Sequence, residues 1–405
     1  GVMSLQLGRS YPMELLRARF IATLGEEATQ QLLPPYPHDA PVIAPPEARS
    51  YAWLRGIDIT SGDALAAVLG EPARFLGSNN WVVHGSRTAT GKPLLADDTH
   101  LGLDMPSIWY ENGLHGGRFD SVGYSFPGVP LVTIRHNSRI AWGVTNLNPD
   151  VQDLYIEKLD DPAHPTQYLH KGEWQDLETT YETIEVKGQA PVTLSVLATH
   201  HGPIVNQVIG DLFFAEPLAL QWTALEGNRI LHSVMLLNLA TNWEEFRQAL
   251  SDWDAPSQNF VYADVDGNIG YQSPGKIPLR APGHQGLLPV PGWTGEYEWQ
   301  GYIPFDELPN ALNPPTGFVA TANNKVVPDD YPHHLAYYWS SGFRAQRITD
   351  LLAANSSVTI EDMRDIHAQT YSLPAEALRP YLRAIEPEGE LQARALDLVK
   401  AWDLY

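Results

Sequence analysis

Gly77-Ser78-Asn79-Asn80-Trp81-Val82-Val83 is the stretch on which the fold turns. It stands where a proline-rich connector ends and a long series of strand-like segments begins. Taken alone, Gly-Ser before an apolar β-rich run reads as a turn entering a strand. Upstream, residues 34–49 hold prolines at 34, 35, 37, 41, 45 and 46, a composition for an extended, exposed connector. Earlier still, residues 12–33 carry a helical pattern. Leu16, Phe20 and Leu24 recur at four-residue spacing, and Gly25 offers a C-terminal stop. Residues 62–69 are compatible with a short helix.

Downstream, residues 81–86 and 93–96 flank the turn-rich 88–92, which predicts a hairpin. Segments 131–134, 140–144, 154–157, 193–197 and 259–262 continue the strands. Helices return near Thr241-Asn-Trp-Glu244 and Thr359-Ile-Glu-Asp362, both with capping-box spacing. Strand runs with helices between and after them predict an α+β fold with helices packed on a largely antiparallel sheet.

The composition bounds the function. The 405 residues allow two or three domains at roughly 150 residues each, or one large sheet-rich domain. No apolar run approaches the roughly 18 residues of a membrane span. Lys plus Arg is 26 against 48 Asp plus Glu, a net charge of −22, which argues against polyanionic partners such as nucleic acid or an anionic membrane surface. With no cysteine, thiolate nucleophiles, disulfides and Cys-held metals are excluded, so covalent catalysis falls to an oxygen nucleophile. The first and last residues read as those of a fragment. Gly1-Val-Met is no typical initiator, and residues 398–405 look like the opening of an amphipathic helix.

Three further segments change the reading of Ser78. They are Asp97-Asp98-Thr99-His100-Leu101, His136-Asn137-Ser138-Arg139-Ile140-Ala141-Trp142-Gly143, and Ser257-Gln258-Asn259-Phe260-Val261-Tyr262-Ala263-Asp264 followed by Asp266-Gly267-Asn268-Ile269-Gly270-Tyr271. With His201-Gly202-Pro203-Ile204 and the Trp299-x-Gly301-Tyr302-Ile303-Pro304-Phe305 block, these segments follow in family order. On them the chain resembles the penicillin amidase (penicillin acylase) family of N-terminal-nucleophile hydrolases, nearer its cephalosporin and acyl-homoserine-lactone acylases. The likeness runs from about residue 10 to the end.

The resemblance implies a four-layer αββα sandwich of mainly antiparallel sheets. It divides the chain into 1–45, like the end of an α-chain; 46–77, a spacer; and 78–405, the first part of a β-chain-like catalytic domain. It also implies a precursor that cuts itself between Gly77 and Ser78. Gly77 would permit the strained backbone that lets the Ser78 hydroxyl reach the carbonyl before it. The freed α-amine, with a reference pKa of about 7.7–8.0, can then act as general base for its own hydroxyl.

By the same resemblance, Asn259 and the backbone N–H of Asn146 are the oxyanion donors, and His100 orients the Ser78 amine. Arg280 is similar to the family's arginine near the active site, though a solvated loop arginine explains it equally. Leu101 and Ile134 fall at two positions that are aromatic in phenylacetyl-specific members, which favours aliphatic acyl chains.

Asp150-Val151-Gln152-Asp153 matches the family's calcium loop, with Asp150 and Asp153 as carboxylates and Gln152 supplying a carbonyl. A solvated acidic turn explains the same residues. Hard oxygen ligands suit Ca²⁺, and no organic cofactor is expected. Asp264-x-Asp266-Gly267-Asn268 fails as an EF-hand and reads as a tight turn, since Gly occupies loop position 4 and Gly275 position 12. The adjacent pairs His200-His201 and His333-His334 do not suggest zinc.

The expected function is a self-processing amidohydrolase for small N-acyl amides, acyl-homoserine lactones among them. It would work as paired α- and β-chains in the periplasm or outside the cell, with no nucleic acid or membrane partner. The alternatives are a β-lactam side-chain acylase, a non-catalytic β-rich carbohydrate-binding protein, and an acylase fold that never matures.

Overall fold

The computed structural model describes residues 7–8, 10–34, 77–102, 105–206, 216–328 and 330–405. Of the expected spacer only Gly77 is among them. The rest of it, residues 62–69 included, lies outside the described residues.

The centre is two sheets face to face. One has three strands, with β1 (Asn79–Val83) flanked by β2 (Leu94–Asp98) and by the last strand in the chain, β12 (Phe318–Thr321). The other has seven. They are β3 (Tyr110–Gly116), β4 (Phe119–Ser125), β5 (Ile134–Asn137) and β6 (Ile140–Asn146), then β9 (Gln258–Asp264), β10 (Ile269–Gln272) and β11 (Asn310–Leu312), in that spatial order. All their pairings are antiparallel.

Side-chain alternation builds four layers from these sheets. Phe260 and Tyr262 of β9 join Trp142 and Val144 of β6 in an apolar cluster with α3 (Ile230–Leu239) and α4 (Trp243–Leu250). On the opposite face of β9, Val261 and Ala263 meet Val82 of β1 between the sheets. Trp81 and Val83 of β1 point the other way. They pack on Ala345, Ile348 and Leu352 of α5 (Phe343–Ala354) and on Met363 of α6 (Ile360–His367). The order is therefore helix, sheet, sheet, helix, as the α+β expectation required. β9 is buried along its whole length because both its faces are covered.

A separate core forms around α1 (Tyr11–Leu24), β7 (Gln152–Ile156) and β8 (Leu218–Trp222), joined by a short parallel pairing of β7 with Val290–Pro291. Here the expected helix face is corrected. Leu15 and Ala18 enter the core, whereas Leu24 is exposed, because the helix turns Glu14 and Leu15 onto β7. Gly25 does stop α1, at φ +82°.

Two other local expectations shift by a residue or more. Thr359 and Asp362 form a true capping box, but at the earlier helix Asn242 is the cap and Thr241 binds the Glu245 carboxylate instead. The final helix runs Glu390–Ala401 and ends there, with Leu404 left-handed and buried. The 264–268 segment is the expected tight turn, in which Asp264 caps the backbone N–H of Asn268 at 2.9 Å.

Candidate active site

Between the sheets, the apolar interface becomes polar at one end. Positions 82, 80 and 78 share one face of β1 and its lead-in; 261 and 259 share one face of β9; 143 and 145 one of β6; 319 and 321 one of β12. Each series starts small or apolar and ends polar, at Ser78, Asn259, Thr145 and Thr321. The register sets Asn259 opposite Thr145 and Gln258 opposite Asn146.

The polar ends form one network. The Asn259 amide donates to Thr145 Oγ1 at 3.0 Å and to the Asn146 carbonyl at 3.3 Å. Its oxygen accepts from the Tyr271 hydroxyl at 2.6 Å. Burial holds the Tyr271 hydroxyl far above its usual pKa, so it remains a donor at any physiological pH. Asn80 donates to the Asn259 carbonyl at 3.4 Å and accepts from Thr321, whose hydroxyl lies 2.6 Å from that of Thr145. Such a fully paired polar seam inside an apolar sandwich is costly to build, and it orients each amide uniquely.

Ser78 sits at the edge of this seam, 5% exposed. Its backbone N–H donates to Asn323 Oδ1 at 2.8 Å, and its carbonyl accepts from Arg344 at 2.9 Å. Arg344 also binds Asn79 Oδ1 at 2.7 Å and Asn323 Oδ1 at 3.0 Å, while the Asn323 amide donates to the Asn146 carbonyl at 2.9 Å. Asn323 and Arg344 thus fix both backbone polar groups of Ser78. Sequence reading missed both. The only local signal was the Asn323-Asn324 pair after β12, where Asn323 takes the left-handed backbone that Asn tolerates.

His100 marks the other side of the Gly77–Ser78 bond. Its carbonyl accepts from the Gly77 N–H at 3.1 Å, and its ring is held through Nδ1 by the Asp98 carbonyl at 3.1 Å. A Cβ on residue 77 would come within 2.6 Å of His100 Nε2. A side chain at residue 77 therefore has room only if the imidazole moves. Gly77→Ala is expected to displace the His100 ring and, where this bond is cut as the resemblance implies, to slow that cut at least tenfold, read as persistence of uncut chain on a denaturing gel.

Ser78 opens on a cavity of about 350 Å³. Leu101, Val144, Ile230, Val234 and the rings of Trp109, Phe126 and Trp253 line it, with Thr99, Thr133, Asn146 and Gln258 as polar points. Leu7, from the segment before the connector, lines it too, and its carbonyl accepts from Asn146 Nδ2 at 2.9 Å. Leu101 lines this cavity beside Ser78. Ile134 is corrected: the alternation at β5 turns Thr133 into this cavity and Ile134 into the apolar core and a neighbouring cavity.

Arg280 is corrected as well. Its guanidinium is buried against Asp153 at 2.8 Å and Asp150 at 3.2 Å, and the arginine that touches Ser78 is Arg344. The reason is charge. Burial pushes the Asp153 carboxyl up, but Arg280 and His284 against it reverse this and hold it well below the usual carboxylate range. Glu14 of α1 joins the group, and burial, then Asp153 and Asp150, push its pKa well above the ordinary value.

The expected calcium ligands can be tested on this group. The Gln152 amide oxygen is spent on the Ser10 and Tyr11 N–H groups, which leaves its backbone carbonyl, approached by Ser10 Oγ at 3.5 Å, as its ligand atom. Both oxygens of Asp150, Oδ1 of Asp153 and Oε1 of Glu14 are buried without a hydrogen-bond partner. With His284 and His334 neutral, three ionised carboxylates against one arginine leave two negative charges unmet. Orphaned hard oxygens and that charge fit Ca²⁺.

The chain is similar to several known proteins. A family model described as penicillin amidase matches residues 1–405. The penicillin acylase 2 proenzyme of a Pseudomonas species is 34% identical over 84% of this chain and 44% of its own length. The acyl-homoserine lactone acylase QuiP of Pseudomonas aeruginosa is 35% identical over 71% of this chain and 35% of its own. Among solved structures, the thermostable penicillin G acylase of Alcaligenes faecalis superposes with a TM-score of 0.69 at 32% identity, over 80% of this chain and 59% of that one. The chain thus spans less than half the length of these two curated relatives.

Proposed function

The chain belongs to the penicillin amidase family of acylases, and on that premise we propose that it is part of a self-processing N-terminal serine amidohydrolase for small N-acyl amides. The observation that carries this reading is the position of Ser78. It stands at the head of β1, with both backbone polar groups held, at the junction of the buried Asn seam and an apolar cavity.

Processing starts when Ser78 Oγ attacks the Gly77 carbonyl. The tetrahedral adduct expels the Ser78 nitrogen, which takes up the hydroxyl proton, and the peptide becomes an ester. Water opens the ester, leaving a Gly77 carboxylate, the free hydroxyl and an α-amine. That amine inherits the Asn323 contact of the former N–H, and cutting also releases the His100 carbonyl from Gly77. In turnover the amine accepts the Ser78 proton as Oγ attacks the substrate amide. It then returns the proton to the leaving amine, and water hydrolyses the acyl-enzyme. Asn259 Nδ2 and the Asn146 N–H serve the oxyanion.

A calcium ion would be held by Asp150, Asp153, Glu14 and the Gln152 carbonyl. There it would supply positive charge that ties α1 to β7. Among the described residues no helix is long and apolar enough to cross a membrane. Export to the periplasm or beyond suits a chain without cysteine.

The test is intact mass of the purified protein. Two fragments, one beginning at Ser78, support the reading, and a single uncut chain overturns self-processing. For the acyl group, the lining of Leu101, Val144, Ile230 and Val234 favours a flexible apolar chain. Each added methylene is expected to raise kcat/KM roughly three- to fourfold until the cavity is full. A strong preference for phenylacetyl over medium-chain amides would instead assign the pocket to Trp109, Phe126 and Trp253. It would favour the β-lactam side-chain alternative.

A further inference from the structure

Apart from the residues that hold Ser78, three side chains from distant segments meet at one point. His170 closes the first strand of the Gln167–His170 and Glu173–Asp176 hairpin. His200 follows the strand Val192–Thr199, and Glu298 precedes the strand Trp299–Tyr302. One donor atom from each lies within 4.8 Å of the other two. Glu298 Oε1 is 3.5 Å from His200 Nε2 and 4.0 Å from His170 Nδ1.

The surroundings fix which atoms face inward. The Tyr168 hydroxyl gives its one hydrogen to Gln175 Oε1 at 2.8 Å, so at 3.2 Å it accepts from His200 Nδ1. His200 Nε2 then faces the Glu298 carboxylate, as a lone pair in the neutral ring and as a second donor in the protonated one. The His170 side chain is 10% exposed, and its Nδ1 is buried without a hydrogen-bond partner. His201 braces Glu298, with Nε2 at 3.3 Å from both carboxylate oxygens and Nδ1 at 2.8 Å from Glu157 Oε1. Gly292 closes over this brace, since a Cβ there would come within 2.7 Å of Glu157 Oε2.

Lone pairs of two imidazoles and a carboxylate aimed at one point repel unless a cation stands between them. A single proton can bridge only one pair of these atoms and leaves the third unmet. We infer that His170 Nδ1, His200 Nε2 and Glu298 bind one zinc ion. Two neutral imidazoles and a carboxylate are a donor set suited to Zn²⁺. Tetrahedral bonds of about 2.0–2.2 Å place donors about 3.3 Å apart. Reaching this requires the His200 and His170 donors to close from 3.5 Å and 4.0 Å on Glu298, and from at most 4.8 Å on each other. His200 and Glu298 are partly exposed, at 34% and 28%, so water completes the fourth position. Tyr168 and His201 are the outer partners that orient two of the ligands. The ion clips together three segments that the strand pairing leaves far apart in sequence. The adjacent His200-His201 pair does not chelate; the second imidazole comes from His170.

The test is zinc titration of the metal-stripped full chain by calorimetry, with calcium in excess to fill hard oxygen sites. Co²⁺ absorption serves as the coordination readout. One zinc per chain at micromolar affinity or tighter is expected, with a raised Tm. His200→Gln and Glu298→Gln should each lose the site, and Tyr168→Phe should weaken it about ten- to a hundredfold. His200 is partly exposed, so its variant should melt like the metal-free parent. Failure of the folded parent chain to take up zinc, or undiminished binding in a well-folded His200→Gln chain, overturns the assignment. Neither result bears on Ser78.

Discussion

Ser78→Ala is expected to leave the chain in one piece and without detectable amide hydrolysis. The substitution removes one oxygen and touches little else. The Ser78 N–H still donates to Asn323, its carbonyl still accepts from Arg344, and β1 keeps its pairing with β2 and β12. Folding should therefore survive, with Tm within a few degrees of the parent. What disappears is the only atom at this position able to form either the processing ester or the acyl-enzyme, and the chain has no cysteine to substitute for it. Side-by-side intact masses settle the point. If parent and variant are both cut before residue 78, cleavage is by another protease and the self-processing mechanism fails. Ser78→Cys sharpens the reading, because it restores a nucleophile of similar size and should restore at least partial cleavage.

How much of this was legible beforehand depends on the range of each signal. The strand-turn-strand after Gly77 and the Asp264–Asn268 turn were readable because short apolar runs bounded by turn residues are local signals. The layering was readable only as a class. The fully buried β9 shows no alternation in its letters, and its two faces are told apart only by what covers them. Ser78 and Asn259 were singled out by family order. Arg344 and Asn323, which hold Ser78, lie about 250 residues downstream in segments with no motif of their own. Arg280 was misplaced because spacing after Asn259 says nothing about where the guanidinium turns. Two buried aspartates decided that. Ile134 failed on parity: one residue along a strand is the opposite face of the sheet.

The second large effect is expected at Asn259. If its Nδ2 meets the developing oxyanion, Asn259→Ala should lower kcat about 10²–10³-fold, with KM changed only a few-fold. The geometry says how the donor is made available. Both amide hydrogens are engaged in this structure, at 3.0 Å to Thr145 Oγ1 and at 3.3 Å to the Asn146 carbonyl. The Asn146 carbonyl also receives Asn323 at 2.9 Å, so the longer Asn259 bond is the one an oxyanion can take without orphaning an acceptor. A neutral carbonyl competes poorly for that hydrogen and a negative oxygen competes well, so the donor acts chiefly in the transition state. Removal also strands the Tyr271 hydroxyl, a structural cost of about 1–3 kcal/mol that could mimic a catalytic defect. Tyr271→Phe separates the two. It breaks the same hydrogen bond and leaves the amide in place, so it should match the loss of Tm while retaining most of kcat. Equal losses of kcat in the two variants would make Asn259 a packing residue and move the oxyanion site elsewhere.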